Sequence, residues 1–455
     1  MGDIVQKFEG HSPLITILKF SLPSSFGAII GLLCVLTDRY FIGQVAGREG
    51  MAAVALVFPY AMIINSFNFL FSGIAVNVGV SLGEGKKALA EKYLTSGFLW
   101  ISVIGIGLSI ILWIFNTPLL YIFGASNSNI AFAKDYTKFL IPIAVFQIFL
   151  GQSTLIRGIG DSVTAMGVNI CTGVINVILD YIFILKLNMG ISGAALATLI
   201  ATAISATYVL IYFFFSKDLS YNKNFIAFDK KIIKNIFTIG SPRFYNQLLQ
   251  SSLITITNRQ AGFYGGDLAT AAIGIISICR NIISTSMQGF NQGASAIISY
   301  NFGARKFSRV IKTFKIQLLV VSFISGSILL VMLTHSKLFV SFFVKNDLVL
   351  IDFAAKNLRI NLCLMVFTGL FLACNNLFQS IKENRVATRF FLIRILVLNI
   401  PLTYILPLFL GELGVWIAFP ISDTIVALLI LSLTIKELSK LPTDKESWVW
   451  TWNMV

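Results

Sequence analysis

Charged side chains are scarce in this sequence. Asp, Glu, Lys and Arg account for 12% of the 455 residues, whereas a soluble domain carries roughly 25%. Hydrophobic residues account for 56% and include 40 Phe, and a water-soluble fold could not withdraw that much apolar surface from water. The shortage of charge therefore excludes an ordinary soluble protein and predicts a chain whose outer surface is solvated by lipid.

Residues that hold metals or phosphates are also rare. The sequence has two His, His11 and His335, no HExxH motif, and five Cys that form no CxxC pair, so a metalloenzyme is not expected. Residues 79–87 resemble a phosphate-binding loop only faintly, because the spacing is wrong and Lys86 is followed by Lys87 instead of Ser or Thr. We therefore expect neither an enzyme nor a cofactor, and any transport would draw its energy from an ion gradient.

Long apolar segments dominate what the sequence does contain. A spanning helix needs about 20 apolar residues, and twelve such segments are found, too long to be the strands of a membrane barrel. They lie at residues 20–44, 52–80, 94–115, 135–156, 163–186, 191–215, 236–262, 268–298, 313–334, 353–380, 387–409 and 414–436. The predicted fold class is an all-α polytopic membrane protein with twelve transmembrane helices.

Lys and Arg are distributed unevenly among the predicted loops. A net charge of +15 would suggest a nucleic-acid partner in a soluble protein, but here most basic residues fall in the even-numbered loops and the two tails. Cytoplasmic loops of membrane proteins collect such residues. We therefore predict a multi-pass protein of the cytoplasmic (inner) membrane with both termini in the cytoplasm, and no nucleic-acid partner.

Short motifs of the first half recur in the second half. The matched stretches begin at Gly47 and Gly265, at Leu82 and Phe302, and at Asn176 and Asn399. A parallel repeat of six helices is a known transporter architecture, so two pseudo-symmetric six-helix bundles are expected. The predicted domains are an N-lobe at 13–216 with helices 1–6, a cytoplasmic linker at 217–235, a C-lobe at 236–436 with helices 7–12, and a cytoplasmic tail at 437–455.

Very few acidic residues lie inside the apolar segments, and three of them stand out: Asp38, Asp180 and Asp423. A carboxylate at the bilayer centre costs roughly 2.5 kcal/mol or more, so each must face a watery cavity, bind a cation, carry a proton, or lie at a helix end in the interface. We favour the helix end for Asp423 only. Asn176 and Asp180 are four residues apart and share one helix face, which is typical of a hard-cation site or a proton relay.

Proline and basic residues inside the apolar segments have two interpretations each. Pro23 is either a first-turn proline or a kink point. In the second half we expect the buried polar residues to form hydrogen bonds between helices. These residues are Arg243, Arg259, Arg280, Arg394, Gln247, Gln250, Asn281, Asn291, Asn375, Asn376 and Gln379.

Several motifs resemble the signatures of the multidrug and toxic compound extrusion (MATE) family, over residues 13–436. The motifs are Leu36-Thr-Asp-Arg-Tyr-Phe-Ile-Gly, Leu82-Gly-Glu-Gly, Arg157-Gly-Ile-Gly-Asp, the segment from Asn176 to Asp180, Gly193-Ala-Ala-Leu-Ala-Thr and Tyr300-Asn-Phe-Gly-Ala. The chain looks most similar to the DinF-type branch, because Gln250, Asn375 and Asn376 stand where the sodium-coupled NorM-type branch has its acids.

The resemblance implies a site and an activity. The cation-coupling residues would be Asp38, Asn176, Asp180, Thr198 and the Ala194 carbonyl, with Pro23 as the hinge. Bound Na⁺ would take the four side chains of that set as its ligands. The implied function is an H⁺- or Na⁺-coupled antiporter for multidrug efflux, which exports amphipathic, cationic organic compounds by alternating access. Its partners would be that small molecule and membrane lipid, and it would work as a monomer.

Two other functions stay open at this point. A lipid-linked oligosaccharide flippase of the same superfamily would suit the basic residues Arg243, Arg259 and Arg280, since its substrate carries a pyrophosphate. A membrane-embedded enzyme is the other rival, and the sequence offers no catalytic constellation for it. Efflux of an organic cation from everted vesicles, with and without ionophores, would separate the three.

Overall fold

The computed structural model describes residues 12–123, 130–216, 218–341 and 348–439, and all regular structure in these ranges is helical. Only a helix or a closed barrel can satisfy every backbone hydrogen bond in lipid. The α-helices are Pro13–Phe71, Gly73–Gly83, Lys87–Ile114, Asn116–Ile122, Ile130–Gly151, Ser153–Gly158, Ser162–Asp180, Gly190–Phe215, Lys230–Gly303, Phe307–Thr334, Ser336–Ser341, Leu348–Leu362, Met365–Ser380, Asn384–Leu392, Ile400–Leu410 and Glu412–Leu438. Two π-helices, Tyr181–Lys186 and Ile393–Asn399, and a 3₁₀-helix, Lys223–Phe225, complete the set.

Nine helical stretches of the described residues are long and apolar enough to cross a membrane. We number the spans in chain order. Spans 1 to 6 are Pro13–Gly31, Tyr60–Gly83, Lys87–Ile114, Ala133–Gly158, Ser162–Lys186 and Gly190–Phe215, and spans 9, 11 and 12 are Phe307–Thr334, Asn384–Leu410 and Glu412–Leu438. Span 10 is the pair Leu348–Leu362 and Met365–Ser380, bent by 42°. Spans 7 and 8 are residues 230–265 and 267–303, which a break at Gly266 (φ 63°) separates.

The all-α membrane fold class is confirmed, and the nine stretches with the bent pair are consistent with the twelve predicted crossings. The first difference lies between spans 1 and 2. The predicted segments 20–44 and 52–80 left a gap for a loop, whereas the backbone is helical throughout Pro13–Phe71. No proline lies in that gap, so the backbone there can keep its helical hydrogen bonds. The side chains of that gap, residues 45–51, all lie outside the described residues.

The boundaries of the C-terminal half also differ from prediction. Helix Lys230–Gly303 starts six residues before position 236, so the linker predicted at 217–235 ends earlier. The last helix runs to Leu438, slightly beyond the predicted end at 436. Hydropathy misplaced the first boundary because the opening turn of the helix is basic and faces water.

Asp229 explains why the helix begins where it does. Its carboxylate accepts hydrogen bonds from the N–H groups of Lys231 and Ile232, at 2.8 and 3.2 Å, which caps the free end of the helix. Lys92 forms an ion pair with it at 2.7 Å. That ion pair and the two backbone N–H groups hold the pKa of Asp229 below its usual range, so the cap persists at neutral pH and weakens as the pH falls.

Pro23 lies in the interior of a helix. The helix starts at Pro13, where the Ser12 side chain caps it, so the first-turn interpretation of Pro23 is wrong. The apolar segment starts near residue 20, but the helix begins earlier because its first turns are amphipathic. The sequence pattern therefore placed the start of the helix too late. An interior proline leaves a carbonyl of the preceding turn without its N–H donor, which fits the kink interpretation.

We call spans 1–6 the N-lobe and spans 7–12 the C-lobe, as predicted, and glycines let these two halves touch. A Cβ on Gly83 would collide with the carbonyl oxygen of Tyr300, and a Cβ on Gly303 with that of Val80. The backbones of spans 2 and 8 are therefore in direct contact at one end of the molecule. We call it the linker end, since the loops 84–86, 159–161, 218–229 and 304–306 lie there.

Candidate functional site

A cavity of about 620 Å³ lies among spans 1, 2, 4, 5 and 6 and reaches spans 7 and 8. That volume is typical of a pocket for a drug-sized ligand. Its wall is mostly apolar, with amide and hydroxyl groups at Asn65, Asn68, Gln147, Asn169, Thr172, Asn176, Thr198, Thr202 and Gln292. Of the described residues that line it, none is acidic, while Arg157 and Arg243 are both basic.

Asn176, Thr198 and Ala194 form a hydrogen-bonded chain between spans 5 and 6. The Nδ2 of Asn176 donates to the Oγ1 of Thr198 at 3.3 Å, and the Thr198 hydroxyl donates to the Ala194 carbonyl at 3.0 Å. Asn176 and Thr198 both line the cavity. Amide, hydroxyl and carbonyl oxygens are ligands that hard cations accept, so three groups implied by the family resemblance lie together.

Asp180 lies one turn beyond Asn176 on the same helix face, and its side chain is fully buried. It is the last α-helical residue of span 5, and the π-helix Tyr181–Lys186 follows directly. Its negative charge acts on the thiol of Cys34, so the first helix of the chain passes close to it. π-helical turns are frequent at functional sites, and this one widens the helix directly after the buried carboxylate.

Asp38 and Pro23 belong to the same first helix. One turn before Asp38, Cys34 contacts Gly173 of span 5, and the backbone of Asp38 is helical. The Asp38 side chain lies outside the described residues, so its part in the site stays a prediction. Pro23 precedes Ser24, which lines the cavity.

Further polar contacts hold spans 5 and 6 together. The Thr172 hydroxyl donates to Ser205 Oγ at 2.7 Å. Asp161 caps span 5 by accepting from the Thr164 N–H at 3.0 Å, and its other oxygen accepts from the Tyr212 hydroxyl at 3.1 Å. The wall that carries Asn176 and Asp180 is therefore braced both at its linker end and within the span.

Arg157 is a cavity residue that the sequence did not reveal, since it lies just beyond the predicted apolar segment 135–156, where a basic residue is typical of a loop. Its side chain is only 3% exposed, and its Nη2 donates to Gln292 Oε1 at 2.7 Å across the lobes. Arg243 donates to Ser72 Oγ at 3.3 Å and to Asn376 Oδ1 at 3.2 Å. No local pattern could show the Arg157 contact, because its partner is 135 positions away.

The amides of the C-lobe form the expected contacts between helices. Asn375 donates to the Ala387 carbonyl at 3.0 Å, and Asn376 to the Asn291 carbonyl at 3.1 Å. The side chain of Gln317 donates to Asn291 Oδ1 at 2.7 Å. For these residues the interhelical interpretation is confirmed, whereas Arg259, from the same predicted set, is exposed.

Asp423 does not lie at a helix end in the interface, so that interpretation is wrong. It is fully buried within the helix Glu412–Leu438. Arg394 Nε and Nη2 donate to its two oxygens at 2.7 and 2.8 Å, and the Thr368 hydroxyl donates at 2.5 Å. The bidentate ion pair neutralises the carboxylate inside the bundle, so this acid needs neither water nor an exchangeable cation.

Comparison with known proteins agrees with this architecture. The profile of the MatE family matches residues 23–182 and 242–405, once in each lobe. The multidrug export protein MepA of Staphylococcus haemolyticus (strain JCSC1435) is 26% identical over 444 residues, which cover 97% of each chain. MepA of Staphylococcus aureus (strain N315) is 25% identical over 425 residues, 92% of this chain and 93% of that one.

A solved structure shows the same fold. It is an outward-facing conformation of a multidrug resistance MATE family transporter, with a TM-score of 0.91 and 22% identity over 96% of this chain and 98% of that chain. Because the family profile matches most of the sequence, in both halves, this protein belongs to the MatE family and is a multi-pass membrane transporter, not an enzyme.

Proposed function

We propose that this transporter is a multidrug exporter of the DinF-type branch that exchanges inward H⁺ or Na⁺ for amphipathic, cationic organic compounds. The coupling ion would be held by Asp38, Asn176, Asp180, Thr198 and the Ala194 carbonyl. The MepA relatives, which are named as multidrug export proteins, support efflux of several compounds. The same relatives give no support to the lipid-linked oligosaccharide flippase.

The observation that carries the proposal is the buried Asp180 beside the chain of Asn176, Thr198 and Ala194. A proton or a cation stabilises a carboxylate in a low-dielectric bundle. Amide and hydroxyl oxygens one turn away can complete the shell of a metal ion or relay a proton. Asn176 and Thr198 line the cavity, so an ion held beside them is well placed to be exchanged for a substrate.

The contact between the lobes supports alternating access. At the linker end, spans 2 and 8 touch through Gly83 and Gly303, while the cavity lies further along the same spans. Opening the linker end requires the two glycine contacts to separate, and a bound ion drives that change only by its differential affinity for the two states. We assign the linker end to the cytoplasm of a bacterial inner membrane, with both termini on that side and the monomer as the working unit.

Transport in everted membrane vesicles tests the coupling directly. A fluorescent organic cation should enter vesicles that contain the protein when a gradient of H⁺ or Na⁺ is imposed. We expect a protonophore or a sodium ionophore, whichever matches the coupling ion, to stop that entry. Uptake that survives both ionophores together would contradict cation coupling.

Thr198→Ala distinguishes the two coupling ions. Thr198 supplies a neutral oxygen, so with Na⁺ its loss should raise the half-saturating Na⁺ concentration about tenfold, the equivalent of one hydrogen bond or ligand contact. The maximal rate should change little. With H⁺ as the only coupling ion, the variant should be nearly silent. The measurement is a titration of transport with each ion at a fixed substrate concentration.

Thr207→Ala is the matched control for that variant. Thr207 lies in the same span and makes the same kind of bond to the carbonyl four residues earlier, at 2.8 Å, but it is exposed. It should therefore transport like the unmodified protein with either ion. A Thr198→Ala variant that loses maximal rate while its ion affinity is unchanged would argue against a ligand role.

Pro23→Ala tests the hinge. The substitution returns an N–H donor to the helix interior, and one restored hydrogen bond of about 1 kcal/mol would slow bending about fivefold. The hydroxyls of Ser21 and Ser25 donate to the carbonyls of Phe290 and Ser286 in span 8, at 3.0 and 3.4 Å, so both flanks of Pro23 are attached to the C-lobe. We expect reduced turnover with substrate binding retained.

Pro13→Ala controls for the loss of a proline in the same helix. Pro13 occupies the first turn, where no N–H is needed, so its turnover should be unchanged. Equal turnover in Pro23→Ala and the unmodified protein would remove Pro23 from the mechanism.

A further inference from the structure

Two guanidinium groups lie on the wall of the cavity toward its linker end, close enough for their charges to interact. Arg157 of span 4 and Arg243 of span 7 both line it, together with Ser72, Thr154 and Gln292. The positive charge of Arg243 acts on Arg157, so the two groups repel each other. Two like charges are held together here although each would be more stable apart and in water.

The described residues provide no negative charge for either group. None of their Asp or Glu side chains forms an ion pair with Arg157 or Arg243, which donate hydrogen bonds there to the neutral oxygens of Gln292, Ser72 and Asn376. Elsewhere in the bundle the fold does provide a carboxylate, as Asp423 does for Arg394. A buried charge without a partner is strongly unfavourable, so the missing partner is expected to come from outside the chain.

An unused hydrogen-bond donor of Arg157 also points to a partner from outside the chain. Arg157 is 97% buried, since its exposed fraction is 3%, yet its Nε has no hydrogen-bond partner among the described residues. A second small cavity of about 30 Å³ lies beside the cluster, lined by Arg243, Gln292, Ser72 and Thr154. Guanidinium N–H groups and hydroxyls around a small space are the groups that bind oxyanions in a fork geometry.

We propose that Arg157 and Arg243 form an oxyanion site at the linker end of the cavity, which binds a phosphate or carboxylate group. That group would belong either to the transported compound or to a free ion that accompanies transport. An amphipathic compound that carries an anionic group as well as a cationic one would lie with its anionic group at this site and its apolar body along the cavity. The site does not depend on cation coupling, because binding can be measured in the absence of any gradient.

Equilibrium binding to the purified protein in maltoside micelles tests the site. The probes are inorganic phosphate, monododecyl phosphate and dodecyltrimethylammonium, which has the same tail with the opposite charge. We expect Arg157→Gln and Arg243→Gln each to weaken binding of the anionic probes about tenfold or more. Binding of the cationic probe should stay equal or become stronger, because a repelling charge has been removed.

The source of the oxyanion is decided by comparing the two phosphates. Similar Arg-dependent affinities for both indicate a free ion, and binding of monododecyl phosphate alone indicates a group carried by the substrate. Arg243→Lys keeps the charge and should retain part of the affinity for the anionic probes. If Arg157→Gln does not fold, this variant tests whether the anion site exists. Arg359→Gln, at an exposed position, should bind like the unmodified protein. Anion binding that is absent, or unchanged in both Gln variants, would overturn the proposal.

Discussion

Replacing Asp180 by Asn should abolish coupled export while the protein still folds. The two side chains have the same shape, but Asn can neither release a proton nor balance a cation, and the position is fully buried. The loss of a charged contact of about 3 kcal/mol corresponds to a fall in transport of roughly 100-fold. The measurement is gradient-driven uptake of a fluorescent cation into everted vesicles, normalised to the amount of protein in the membrane.

Asp352→Asn is the control for that experiment. Asp352 is an exposed acid that forms a surface ion pair with Lys337 at 2.6 Å, and such pairs contribute little. It should transport normally. Asp38→Asn is expected to behave like Asp180→Asn if both acids belong to the coupling site. Full transport by Asp180→Asn would remove this residue from the mechanism, whatever the other variants do.

Arg394→Gln should destabilise the C-lobe more than any other single change considered for it. The substitution leaves Asp423 buried with its charge unbalanced, which costs about 3–5 kcal/mol. The Arg394 guanidinium also lies 4.9 Å from the ring centre of Phe371 and 5.5 Å from that of Phe419, so cation–π contacts are lost with it. Reversible unfolding in mixed micelles, or the shift in melting temperature, measures the effect.

Two further variants make that result specific to the ion pair. Arg394→Met combined with Asp423→Leu removes both charges and should recover much of the lost stability, because the penalty arises from the unpaired charge. Arg385→Gln removes an exposed Arg from the same segment and should be neutral. An Arg394→Gln protein within about 1 kcal/mol of the unmodified one would show that Asp423 is stabilised in another way.

The neighbouring Arg280 shows why this cluster differs from the pair at the linker end. Its guanidinium lies 4.3 Å from the ring centre of Phe419, and the negative charge of Asp423 also acts on it. The C-lobe cations therefore have an acid and an aromatic face among the described residues. Arg157 and Arg243 have only neutral oxygens there, which is why we place an exogenous anion at the linker end and not in the C-lobe.

The class of the protein follows from its amino-acid sequence. Hydropathy predicted twelve spans, because a membrane-spanning helix has to be apolar over about 20 residues. The four-residue spacing placed Asn176 and Asp180 on one helix face, since helix geometry is local and needs no knowledge of how the spans pack. The sequence motifs indicated the family, and the match to the MatE profile confirms it.

Which polar residues meet depends instead on the tertiary structure. Asp423 could not be told from a helix-end acid, because its partner Arg394 is 29 positions away on another span. Arg157 resembled a loop cation, whereas the folded chain places it against Gln292 of the other lobe. Pro23 belongs to a helix interior because the helix starts at Pro13. The sequence pattern shows which residues are unfavourable in the membrane. Which of them pair depends on how spans far apart in the chain pack. The proposed ion and anion sites lie where such spans meet.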